Sequence, residues 1–330
     1  MAGRQRDGGG WMCRLRLTGR ASGGQMASMF ERMGVQIELG DRRVLHPGPL
    51  RWLRAIAWMI GLFVLVAVAS YGVEGMIGDA FPKANAPAQF MANVVGAVAS
   101  LAIYGLMVWL VEGRTPSELR PASAPAGIIG GFAIGAVVFS AVMLVLIGTG
   151  LYDFAWTGPA PAWKCAGLSI ESGFIEEIMA RGVLLRLTWR AFGPWAAFIF
   201  SAAVFGAGHF GNPNASAWAA LCIAIEAGLM LGAFYALTGR LWVSIGLHAG
   251  WNFTQGYLFG AVVSGTDFGG AIARSTAKDG FPLWLTGGRF GPEASLPALV
   301  ICTAVGLLTI RMAWKGGRFA RPTLAPATPA

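Results

Sequence analysis

The chain has 330 residues, of which 55% are hydrophobic and 12% charged, about half the charged share of an ordinary soluble domain. Several runs exceed the ~20 apolar residues that a bilayer-spanning helix needs, so composition excludes a soluble globule and gives an all-α, polytopic membrane helix bundle. The formal net charge of +9 does not mark a nucleic-acid surface, because ten arginines fall in the first 54 residues and the others lie mostly in short loops, the distribution of a topology signal.

Residues 1–50 are rich in Arg and Gly, lack periodicity and read as a disordered basic cytoplasmic tail. No signal peptide is expected, since the first apolar run begins only after residue 54 and is long enough to span; Met26, Met29 and Met33 offer later translation starts. Spanning helices are predicted at about 54–73, 90–111, 126–150, 165–187, 194–211, 217–238, 241–263 and 295–313, about eight in all. The tail, the 112–125 loop, the 188–193 turn, Arg240 and the C-terminus carry Lys or Arg and are assigned inside. The 74–89 and 151–163 loops and the 210–216 turn are nearly free of them and are assigned outside. Both termini are therefore expected in the cytoplasm. The chain divides into the tail, a three-span region over 51–164, a core over 165–263, a loop over 264–294, and a last span with a cytoplasmic tail over 295–330.

The 48 glycines include Gly131-x-x-x-Gly135 and Gly228-x-x-x-Gly232, a spacing for close helix packing. Cys13, Cys165, Cys222 and Cys302 are scattered with no C-x-x-C pair and read as free small residues rather than zinc ligands or disulfides.

The fourth predicted span departs from this apolar pattern. Glu171, Glu176, Glu177 and Arg181 fall within eleven residues of "ESGFIEEIMARGVLLRLTWR", and ionisable side chains at membrane depth are costly and functional by default. Glu177 and Arg181, four apart, share a helix face and can pair, whereas Glu176 points about a quarter turn away with no local cation. A carboxylate left so is suited to general-base work. Of the three histidines, His46 reads as a loop residue; His209 follows Phe205 by four at the end of the fifth span, and His248 shares a face of the seventh with Asn252. Glu226 lies mid-span, either lining the same cavity or bonded to a neighbouring helix.

Glu176-Glu177-x-x-x-Arg181, Phe205-x-x-x-His209 and His248-x-x-x-Asn252 resemble, in order, the three motifs of the intramembrane CAAX-protease and bacteriocin-processing (CPBP, Abi) family, which includes the endopeptidases that remove the last three residues of a CAAX tail. "EGRTPSELR", Glu112 to Arg120, resembles the polar loop of many bacterial members. The resemblance covers about 165–256 and makes the 165–263 core the catalytic one. It implies that Glu176 activates a water, Arg181 holds Glu177, His209 orients the water, and His248 with Asn252 stabilises the oxyanion. Glu176, His209 and His248 could alternatively hold Zn2+ with one open position, although no H-E-x-x-H helix is present. The Arg-, Ala- and Gly-rich composition points to a bacterial cytoplasmic membrane and so to a peptide or membrane-protein substrate in its lipid bilayer, with no nucleic-acid partner and no signal for an oligomeric state. A prenylated cysteine is the eukaryotic precedent. The competing readings are a non-catalytic scaffold or immunity factor, and a proton-coupled transporter. The latter would call for an inverted repeat with broken helices, and no second copy of the motifs occurs in the first four spans.

Overall fold

The structure is a computed structural model and describes residues 34–82 and 85–319; residues 1–33 and 320–330 of the two expected tails lie outside it. The described residues form a helical bundle with one two-stranded sheet. In chain order the helices begin with α1 (Arg51–Asp79), α2 (Ala86–Met107, continued by a wide turn Val108–Glu112) and α3 (Ala124–Gly148). α4 (Trp163–Glu171) runs through wide turns at Ser172–Glu176 and Ile178–Leu185 into α5 (Arg186–Phe192). α6 (Pro194–Gly208) is followed by α7 (Ala217–Ile223), which continues through Ala224–Leu231 into α8 (Gly232–Thr238). α9 (Leu241–Phe253), its extension Thr254–Leu258, the short α10 (Leu283–Thr286) and α11 (Leu296–Lys315) complete the set.

Among the described residues, five helical segments are long and apolar enough to cross a bilayer: Arg51–Asp79, Ala86–Glu112, Pro121–Gly148, Ala217–Thr238 and Leu296–Lys315. The other three expected spans are helical but more polar or shorter. α4–α5 carries Glu171, Glu176, Glu177, Arg181, Arg186 and Arg190, α6 has 15 residues, and α9 with its extension carries His248, Asn252 and Gln255. Their polar side chains turn inward: Glu177, Arg181, Arg186, His248, Asn252 and Gln255 are all buried in protein, which is where ionisable groups at membrane depth are tolerated.

Local chemistry sets the joints. Gly193 at φ 93° ends α5, and Pro194 opens α6 at a position where its missing N–H costs nothing. α3 and α9 approach backbone to backbone, because a Cβ on Gly131 or Gly135 would strike the Val243 or Leu247 carbonyl, and one on Gly246 or Gly250 the Ile128 or Phe132 carbonyl. This contact fixes the helix that carries His248 and Asn252. Gly228 likewise packs on Ala202, and Gly232 on Leu185 and Phe198.

Two sequence expectations change. Residues 34–50, expected as the end of a disordered tail, lie ordered against the bundle. Ile37 and Leu45 are buried, Val35 N–H donates to the Thr238 carbonyl at 3.1 Å, and Arg190 donates to the Gly40 and Leu45 carbonyls at 2.9 Å each. The expected 151–163 and 264–294 loops contain β1 (Tyr152–Trp156) and β2 (Ala273–Ala277), antiparallel in the register Tyr152↔Ala277 to Trp156↔Ala273.

The "EGRTPSELR" loop anchors α5 through a buried ion network. Arg186 grips Glu112 with both terminal nitrogens, at 2.9 and 2.6 Å. Arg114 bonds Glu112 at 2.8 Å and Glu118 through two bonds of 2.8 Å, and the Tyr104 hydroxyl also donates to Glu118. Burial alone would raise the Glu118 carboxyl, but hydrogen bonds and charge from Arg114, then Arg186 and Tyr104, hold it at about 2.

Candidate active site

The site is built where the wide turns of α4–α5 face α6, α9 and the Ala224–Leu231 turn. Such turns interrupt regular α-helix and are frequent at functional positions. Within them Arg181 Nη1 donates to Glu177 Oε1 at 2.7 Å, the four-residue pairing that the sequence implies. Arg181 Nη2 donates to the Ala227 carbonyl, and the guanidinium carbon lies 4.9 Å over the Phe205 ring, a cation–π contact. The ion pair is thus held from three sides, with Glu177 at 0% and Arg181 at 1% exposure.

His248 reaches the same carboxylate from α9, its Nδ1 2.9 Å from Glu177 Oε1. With Nδ1–H donating there, the tautomer and ring plane are set and Nε2 is left for the cavity. Glu177 Oε2 has no hydrogen-bond partner among the described residues. Glu176 is half-buried and likewise makes no hydrogen bond among them; it lies in the electrostatic field of Tyr71, Glu171 and His248.

His209 opens the turn His209–Gly211 directly after α6. Its Nδ1 is 2.8 Å from the Phe205 carbonyl, with the two rings 5.0 Å apart. Asn252 donates one amide hydrogen to Ser172 Oγ at 2.8 Å. His209, His248 and Asn252 line one cavity of ≈ 30 Å³, room for about two waters. Five of the six expected residues therefore converge, Glu177 and Arg181 through direct contacts and the other three on the cavity wall, while Glu176 stands beside this group rather than on that wall.

Among the described residues, no three His, Cys, Asp or Glu side chains are grouped so that they could hold a metal ion. The expected set Glu176, His209 and His248 thus does not fit zinc in this arrangement, and no step below is routed through a metal.

Three acids enter the picture that motif spacing did not assign. Glu226 lines the cavity, 2% exposed, and neither of its oxygens has a hydrogen-bond partner among the described residues, which resolves the two readings in favour of the cavity. Glu293, in the expected 264–294 loop, lines it too; its Oε2 accepts from Ser264 N–H at 2.6 Å and Oγ at 2.9 Å, its Oε1 from Trp251 Nε1 at 3.2 Å. Burial pushes the Glu293 carboxyl above the usual range although the Ser264 donors, His209 and Trp251 pull it down. Glu74, near the end of α1, is tied to Glu171 by Asn93, whose amide donates to Glu74 at 2.8 Å and Glu171 at 2.9 Å. An isolated acid at the edge of an apolar run was the available signal for Glu74; a loop glutamate such as Glu293 carries none.

Residues 158–254 match the family model for the Rce1-like domain, described as type II CAAX prenyl endopeptidase Rce1-like. This segment is therefore similar to the CAAX-protease family. No curated protein and no solved structure matched the chain. The matched segment contains each motif residue from Glu176 to Asn252, whereas Glu74 and Glu293 come from outside it.

Proposed function

We propose that this chain is a CAAX-protease-like intramembrane endopeptidase that hydrolyses a peptide bond of a membrane-associated protein or peptide with a glutamate-activated water. The observation that carries the reading is the unequal use of two adjacent acids. Glu177 is consumed by Arg181 and His248, and Glu176 is left without a hydrogen bond beside them.

In this reading Glu176 takes a proton from the attacking water, and His209 helps to hold that water. An Nε2–H on His248 together with the second amide hydrogen of Asn252 faces the developing oxyanion. Because Nδ1 is bonded to Glu177, donation from Nε2 requires the imidazolium. Charge then balances, with two carboxylates, Glu176 and Glu177, against Arg181 and His248. The lone proton on Glu176 passes to the leaving nitrogen as the carbon–nitrogen bond breaks. The eight-span arrangement, with both termini on the cytoplasmic side of a bacterial cytoplasmic membrane, belongs to the same proposal.

Cleavage of prenylated and unprenylated fluorogenic peptides by the purified chain in detergent tests it, run beside Glu176→Ala and with and without chelator. Cleavage by the parent chain, lost in Glu176→Ala and untouched by chelator, is the expected result. Chelator-sensitive cleavage would replace glutamate chemistry by metal chemistry, and turnover surviving in Glu176→Ala would remove Glu176 as the base.

A further inference from the structure

We propose that Glu226 and Glu293 form a subsite for a primary ammonium group, the new α-amino terminus of the peptide fragment that leaves the site. The inference rests on the endopeptidase reading for the identity of its natural ligand. Its physical basis is independent of that reading.

Two carboxyl groups from separate elements, the Ala224–Leu231 turn and the Pro292–Ala294 turn, face one cavity. They are 2% and 4% exposed. Among the described residues, no Lys or Arg lines that space. The guanidinium of Arg181 is spent on Glu177 and on the backbone carbonyls of Ala227 and Gly228, and His248 gives its Nδ1 to Glu177 while its Nε2 is left for the cavity. The other titratable neighbours are His209 and Tyr152, which lie near Glu293, and the thiols of Cys222 and Cys302 beside Glu226. Buried acid oxygens without a donor call for one from outside.

The partners of the two acids differ in a way that suits this. Glu293 is pinned by three donors, from Ser264 and Trp251. Glu226, by contrast, offers two oxygens with no partner among the described residues. An ammonium group carries three N–H donors and no acceptor. Its size is that of a water, for which the cavity of ≈ 30 Å³ has room.

The chemistry supplies such a group at this place. Peptide hydrolysis adds the water oxygen to the carbonyl carbon and breaks the carbon–nitrogen bond. The proton taken from water returns to the nitrogen, and the freed α-amine, with a pKa of about 8, takes another proton at neutral pH. Since His248 and Asn252 share the cavity wall with Glu226, the leaving nitrogen separates next to the two acids.

The test is the thermal midpoint of the full chain in detergent, titrated with methylammonium chloride and, in parallel, with tetramethylammonium chloride and sodium chloride. The proposal expects a saturable rise with methylammonium alone, weakened about tenfold or more in affinity by Glu226→Gln, which removes one charge-assisted acceptor. Equal effects of methylammonium and tetramethylammonium, no effect of either, or an undiminished response in a folded Glu226→Gln would overturn it. If Glu226→Gln does not fold, the comparison of the two ions on the parent chain still decides. Cleavage of the peptide panel is a separate measurement, so loss of the subsite and loss of the protease reading are distinguishable.

Discussion

His248 Nδ1 stands 2.9 Å from Glu177 Oε1 across 71 residues of sequence, on the oxygen that also accepts from Arg181 Nη1 at 2.7 Å. One buried carboxylate oxygen therefore ties α9 to the wide turns between α4 and α5. Removing the arginine leaves a 0% exposed carboxylate with only an imidazole for charge compensation. Arg181→Ala is expected to cost about 3–5 kcal/mol, the range for breaking a buried pair from one side. The double variant Glu177→Gln with Arg181→Ala should cost less than the sum of the two singles. Unfolding midpoints in detergent read both, and additive losses would show that the pair is not coupled.

Glu176 gives the opposite expectation. With no hydrogen bond to lose among the described residues, Glu176→Gln should leave the unfolding midpoint within the small range of a substitution without packing consequences. Cleavage should fall by about 10²–10⁴, the usual contribution of a general base. Glu177→Gln should lower both stability and cleavage. A Glu176→Gln protein that unfolds early would mean that the residue is structural, and the assignment of the free base would then fail.

The membrane bundle and the Glu177–Arg181 pair were legible in the sequence because both depend on local rules, apolar run length and four-residue helical spacing. The convergence of His209, His248 and Asn252 on one cavity followed from family-like motifs rather than from any local signal. What was not legible arises from contacts distant in the chain. The pairing of β1 with β2 joins residues more than a hundred apart, as the Tyr152↔Ala277 register shows, and neither pentapeptide announces a partner. Glu293 sits in a segment read as a loop, and only its bonds to Ser264 and Trp251 reveal a place in the site. The ordering of residues 34–50 depends on carbonyls that Arg190 happens to meet, and an Arg- and Gly-rich composition points the other way.

The anchor of α5 gives a prediction in pH. Glu118 is held at about 2 against an ordinary 4.5. A carboxyl with a lowered folded pKa stabilises the fold above its unfolded value, and the contribution is lost as pH falls from about 4.5 through about 2. The full difference corresponds to about 3 kcal/mol at 1.36 kcal/mol per unit. Thermal midpoints between pH 6 and pH 2 should drop across this window in the parent chain and drop less steeply in Glu118→Gln, which starts from a lower midpoint because Arg114 has lost its two-bond partner. Identical slopes would mean that other acids dominate acid unfolding.

Backbone contact between α3 and α9 controls the position of His248. Gly250 is two residues from His248, and a Cβ there would strike the Phe132 carbonyl of α3. A methyl group cannot be absorbed at a backbone-to-backbone contact by a rotamer change, so the two helices must part. Gly250→Ala should then cost about 1–3 kcal/mol as an overpacking change. It should also reduce cleavage, because a displacement of α9 by a few tenths of an ångström lengthens the 2.9 Å His248–Glu177 bond. Gly130 is the control. It lies on α3 with nothing within 4 Å of an added Cβ, and Ala there gains up to about 1 kcal/mol in helix propensity with no collision. Gly130→Ala should leave cleavage unchanged and hold or raise the midpoint. Equal behaviour of the two variants would show that the glycine contact does not position His248.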